Sequence, residues 1–149
     1  MKKNKKNLPG SSAMGLVRMY RRTMLKLKSK HFDPIQRLED KKIRERLLKW
    51  IEEGGPFDDE TMTEVAERFE ITKEQLSYYF RSRYGENFLA WRRIYRVNAA
   101  EKMMLGHPEL TIKEIMQSVG IYDRANFRKM FIVRHGVSPE KWRNSKLKK

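Results

Sequence analysis

Two short stretches of the chain carry side chains able to read the edge of a base, each set lying in or just before one expected helix. In the first they are Lys73, Glu74, Ser77, Tyr78 and Arg81, and in the second Tyr122, Arg124, Ala125, Asn126, Arg128 and Lys129. An Arg guanidinium matches guanine O6 and N7, an Asn amide matches adenine, a carboxylate accepts from cytosine N4, and an apolar surface meets the thymine methyl. Arg124, Asn126, Glu74 and Tyr78 are the respective candidates. A second group, Arg83, Arg92, Arg93, Arg96 and Arg134, could meet phosphates, which gives affinity and register without choosing a sequence. Backbone N–H groups of helices starting near Thr61 and Thr111 could add donors to phosphate. For every one of these residues the competing reading is a solvated helix position that touches nothing.

Catalytic chemistry finds less support. There is no Gly-rich phosphate loop, HExxH or nucleophile elbow. Glu52-Glu53 and Asp58-Asp59-Glu60 fit helix-end and loop charges better than catalytic pairs. His31, His107 and His135 lie in separate segments without metal-ligand spacing and read as surface or capping residues. The absence of Cys removes thiolate metal sites and disulfides, and agrees with a reducing compartment, with the cytoplasm as the default location. Neither an enzyme activity nor a metal or cofactor is expected. The nine Met residues are most simply adaptable core filling.

The elements that must position the polar side chains emerge from an internal repeat. Residues 61–85 and 111–136 follow one pattern. Thr61, Glu64, Val65 and Ile71 match Thr111, Glu114, Ile115 and Ile121 at an offset of fifty. After one inserted residue, Leu76, Phe80, Arg83 and Gly85 match Phe127, Phe131, Arg134 and Gly136 at fifty-one. Thr61 and Thr111, each with Glu three residues on, have capping-box spacing and should open a first helix. Val65 and Phe69, or Ile115 and Val119, form its inner face; a turn follows at Glu70 or Gly120. Thr72 or Asp123 then caps a second helix that buries Leu76, Tyr79 and Phe80, or Phe127, Met130 and Phe131, and leaves its other side polar. Two short helices joined by a tight turn make a helix-turn-helix, and the chain contains two. Residues 86–106 lack an internal Gly or Pro until Gly106 and should form one long linker helix. A rigid linker would allow two reading helices to enter successive major grooves roughly 34 Å apart.

The fold class is therefore all-α: two helix-turn-helix subdomains on a long linker helix, preceded by an amphipathic helix. Residues 1–12 read as a flexible basic tail, 13–34 as an amphipathic basic helix and its break, and 35–145 as the tandem domain. The first unit is set at 35–85 and the second at 107–145, with 146–149 a basic tail. Val17, Tyr20, Met24 and Leu27 form a narrow apolar stripe, with Ser11 or Ser12 as its cap. The net charge of +15 draws the chain toward polyanions, nucleic acid first and anionic membrane second. Arg18, Arg21 and Arg22 interrupt the segment after the basic start, so neither an export signal nor a membrane span is visible.

With these residues in view, Asp40 to Arg143 resembles the DNA-binding domain of the AraC/XylS family. The second unit carries the most specific part: Gly120-Ile121, Asn126-Phe127, Phe131, Gly136-Val137-Ser138-Pro139 and Trp142-Arg143. Trp91-Arg92, Arg96-Val97 and Ala100 resemble its linker. The resemblance implies a transcription regulator such as an activator, with double-stranded DNA as partner and RNA polymerase as a further candidate. Four positions depart from the pattern: Met116 stands where Ala is usual, Glu70 where Gly is frequent, and Lys129 and Ile132 where Arg, or Lys or Arg, is common. The residues before Asp40 cannot enclose a small-molecule pocket. Control is accordingly expected through protein level or a partner, or else the chain is a piece of a longer protein.

Two other functions compete. The stripe at 13–30 could lie on an anionic membrane surface or pair two copies of the chain as a homodimer. Alternatively, the helix-turn-helix units could bind only protein, as an adaptor, in which case DNA binding would be weak.

Overall fold

A computed structural model describes residues 34–148. The tail at 1–12, the amphipathic helix at 13–30 and the dimer read from it lie outside the described residues. Within them, every regular element is helical. α1 (Pro34–Glu52) leads through a 3₁₀ turn (Gly55–Phe57) to α2 (Met62–Arg68) and α3 (Lys73–Tyr84). α4 (Phe88–Gly106), α5 (Ile112–Ser118), α6 (Arg124–His135) and α7 (Pro139–Leu147) follow. α2–α3 and α5–α6 are the two helix-turn-helix pairs. α7 extends through Lys146 and Leu147, so the basic tail assigned from 146 is in part the last turn of a helix. No helix among the described residues is long and apolar enough to cross a membrane.

Caps fix where each short helix begins. The Thr61 and Thr111 hydroxyls accept from the Glu64 and Glu114 amides, and the two carboxylates accept in turn from the Thr backbone N–H at 2.6 and 2.7 Å. Thr72 and Gln75 form a third reciprocal box at the start of α3. Asp123 caps α6 through the Asn126 amide at 2.9 Å.

The backbone N–H of Thr61 and of Thr111, followed by their hydroxyls, holds the Glu64 and Glu114 carboxyls below their ordinary pKa of 4.5. These carboxylates bind fewer protons folded than unfolded. Their contribution to stability is thus present above the unfolded value and lost as pH falls through the lower folded one. Glu64→Gln/Glu114→Gln keeps an acceptor at the third helical position and removes the titration. Its melting temperature should fall less than the wild type's between about pH 5 and about pH 3, measured by circular dichroism.

The packing forms two cores. Ile43, Leu47, Trp50, Val65, Ala66, Phe69, Leu76, Tyr79, Phe80, Phe88 and Trp91 make the first. Val97, Ala100, Met104, Ile115, Met116, Val119, Ile121, Phe127, Phe131 and Trp142 make the second. Met116 fills the place corresponding to Ala66, and both are buried. Leu38 of α1, which at 100° per residue lies roughly opposite Leu47 around the helix axis, is exposed.

α4 serves both cores. At 100° per residue, Phe88 and Trp91 lie roughly opposite Val97, Ala100 and Met104 around its axis. Its N-terminal half therefore closes the first unit on one side, and its C-terminal half floors the second on the other. The repeat also runs further than the helix-turn-helix pairs: at the same offset of fifty-one, Trp91-Arg92 becomes Trp142-Arg143. Each Trp is buried in its unit's core. Each Arg reaches back to carbonyls of the loop that precedes the unit's first helix. Arg92 donates to the carbonyls of Pro56, Asp58 and Glu60, and Arg143 to those of His107 and Leu110.

Candidate nucleic-acid interface

The second helix of each pair is buried on one side only. α3 inserts Leu76, Tyr79 and Phe80 into the first core and leaves Lys73, Glu74, Tyr78 and Arg81 exposed and Ser77 half-buried. α6 inserts Phe127 and Phe131, half-buries Met130, and leaves Arg124, Ala125, Asn126, Arg128 and Lys129 exposed, with Tyr122 exposed just before it. All the candidate base-reading side chains thus lie at or near the surface of the two second helices. Arg124 and Lys73 occupy the first helical position of their respective helices, where a side chain can reach a groove that the helix enters by its N-terminus.

The phosphate candidates divide differently. Arg93 is exposed. Arg92 is not available: it is 6% exposed, donates to backbone carbonyls and lies over the rings of Trp50 and Phe88. Arg96 is likewise committed, donating to Pro56 O at 2.7 Å, Asp58 O at 2.7 Å and Gly120 O at 2.9 Å. Burial lowers both guanidinium pKa values from the usual one, and for Arg92 the neighbouring Arg96 charge adds to this. Arginine nevertheless stays charged. Its five donors suit a bundle of loop carbonyls as well as they suit phosphate.

Arg83 and Arg134, matched in the repeat, also have intramolecular partners. Arg83 pairs with Asp40 of α1, and Arg134 Nε lies 3.0 Å from Glu101 of α4. Each unit thereby ties the end of its second helix to the helix that leads into it. His135 belongs to the same arrangement and is not a surface residue. Its Nε2 is 2.6 Å from Glu101 Oε1, and its ring packs between Phe131 and Trp142.

Arg96 joins the two units directly, since two of its acceptors are in the first unit's loop and one is in the second unit's turn. Phe57 of that loop packs on the second core. Gly120 takes φ +74, and a Cβ there would lie 2.3 Å from the Phe57 carbonyl oxygen. In the first unit Glu70 adopts φ +55 at the corresponding turn. Its carboxylate is 2.6 Å from Arg46, whose guanidinium also bonds the Phe69 carbonyl.

Comparison with known proteins agrees with this architecture. A family profile described as a helix-turn-helix domain matches residues 65–145, more than half of the chain. Among solved structures the chain is similar to the C-terminal domain of the two-component response regulator yesN from Fusobacterium nucleatum subsp. nucleatum. The TM-score is 0.58 at 25% sequence identity, covering 67% of this chain and 96% of that one. No curated protein matches. With the profile spanning both units and the solved domain sharing their fold, the chain belongs to the AraC-type helix-turn-helix family of DNA-binding transcription regulators.

Proposed function

We propose that the chain recognises a specific double-stranded DNA sequence by placing α3 and α6 in successive major grooves. It would act as a cytoplasmic regulator of transcription and not as an enzyme. One observation carries the reading: two second helices, each anchored in its own core, leave a polar face in solvent while one shared helix holds both units. The net charge of +15 supplies the sequence-blind attraction to phosphate on which recognition builds. Arg93 and the exposed basic residues of α3 and α6 provide it near the reading faces, while Arg92 and Arg96 act inside the protein. Contact with RNA polymerase would follow once both units are docked.

Selection of bound duplexes from a random library, followed against salt, tests this. The expected product is a motif of two half-sites about one helical turn apart, bound ~10³-fold or more tightly than scrambled DNA. Arg124→Ala and Lys73→Ala should each relax preference at one half-site by roughly 5- to 150-fold, as loss of a good bidentate or charged base contact does. A chain that recovers no motif, and whose alanine variants bind as the wild type does, would be a protein-binding adaptor.

A further inference from the structure

We propose that Glu140 sets the sequence discrimination of the second unit by holding Arg124 and Arg128 in one arrangement before DNA arrives. The inference rests on the reading that α6 faces DNA. Glu140 lies outside the helix-turn-helix, in the first turn of α7. Its Oε1 is 3.6 Å from Arg124 Nη2 and its Oε2 is 3.7 Å from Arg128 Nη1. Oε2 is buried and accepts no hydrogen bond, so the Arg128 charge is the compensation that the structure gives it. Arg124 and Arg128 are one helical turn apart and share a face. One carboxylate therefore spans two candidate reading side chains, which remain 74% and 58% exposed.

Two consequences favour discrimination over raw affinity. A carboxylate beneath two guanidiniums reduces the local positive charge that attracts any phosphate regardless of sequence. It also restricts the two long side chains, so less freedom is lost when they meet a base edge. At 3.6 to 3.7 Å these are ion pairs without direct hydrogen bonds. The pair to Arg124, which is 74% exposed, is weak enough to be exchanged for a guanine edge.

The repeat argues that the carboxylate is not a requirement of the fold. At the offset of fifty-one, Leu89 takes the place of Glu140, and Lys73 and Ser77 take those of Arg124 and Arg128. Leu89 is exposed, and the first unit closes with the same Trp-Arg pair without any charge at that position. A purely structural role for Glu140 would be to favour the positive end of α7, and its removal would then move stability alone.

Glu140→Gln separates the two roles. Affinity is measured for the duplex that the wild type selects and for a scrambled duplex of the same composition, each across a salt series, with melting temperature alongside. The expected result is tighter binding to the scrambled duplex, with a salt dependence steeper by about one charge. The ratio of selected to scrambled affinity should fall about three- to tenfold. In an Arg124→Ala/Arg128→Ala background, the same substitution should leave the ratio unchanged. An unaltered ratio in the single variant, or a change that persists in that background, would overturn the inference and leave Glu140 a helix-end charge. A wild-type chain that selects no duplex would overturn the DNA-reading assignment itself, a result visible before any substitution is made.

Discussion

Gly120→Ala should lower stability by about 3–5 kcal/mol, with a fall in melting temperature of roughly 10 °C or more. Two costs add. The residue takes φ +74, and an L side chain in the left-handed region costs about 1–2 kcal/mol. The added methyl would also lie 2.3 Å from the Phe57 carbonyl oxygen, which is backbone and cannot swing aside. Relief requires the Gly55–Phe57 turn to lift from the second unit, and with it the acceptors that Arg96 holds on both sides. Glu70→Ala is the matched control, because Glu70 has the same backbone sign in the first unit's turn. It replaces one non-glycine residue by another and gives up an ion pair whose partners are 37% and 76% exposed. Its expected cost is about 1 kcal/mol or less. Thermal and denaturant unfolding followed by circular dichroism would measure both. Equal, small losses would mean that the Gly55–Phe57 turn does not rest on the second unit's turn.

Most of what places the candidate reading faces was legible because it is local. Capping boxes, turn positions and 3.6-residue periodicity act within one or two helical turns, and the repeat doubled each signal. Thr61 and Thr111 cap as their spacing predicts, and Leu76, Phe80, Phe127 and Phe131 point inward. The arginines were harder, because a positive charge in a sequence does not reveal whether phosphate or backbone carbonyls will receive it. Arg92 and Arg96 were candidates for phosphate, yet the loop before α2 offers them several carbonyls, and burial there is offset by hydrogen bonding. A signal for Arg92 existed: Trp91-Arg92 repeats as Trp142-Arg143, so a role in closing its own unit could be inferred from the copy. Arg96 has no such counterpart to reveal it. Its acceptors lie 40, 38 and 24 positions away, and only the packing of two units against one another brings them together. Glu140 was missed because it follows the second unit's candidate reading helix and carries a charge of the opposite sign to the candidate contacts.

Arg96→Met tests whether that junction makes one body of two cores. Methionine retains much of the apolar stem and removes the donors to Pro56, Asp58 and Gly120. The loss should be about 2–4 kcal/mol, because each charged hydrogen bond contributes roughly 1.5–3 kcal/mol and the freed carbonyls partly regain water. The form of the unfolding curve is more diagnostic than its midpoint. Each unit has its own core, and α4 meets them on opposite sides, so the loop that Arg96 pins adds a second coupling between them beside the shared helix. Calorimetry should therefore show a single transition in the wild type and a broadened or split one in Arg96→Met. Arg92→Met should behave differently. Its acceptors at Gly55, Pro56, Asp58 and Glu60 all belong to the first unit's loop, so it should weaken the first unit most. The same contrast should carry into the proposed recognition, where a pinned junction would fix the separation of α3 and α6. In site selection, Arg96→Met should retain each half-site while accepting several spacings, as a flexibly joined pair of readers would. A single transition together with unchanged spacing would show that the continuous α4 helix alone fixes the two units, and that Arg96 contributes stability without setting their separation.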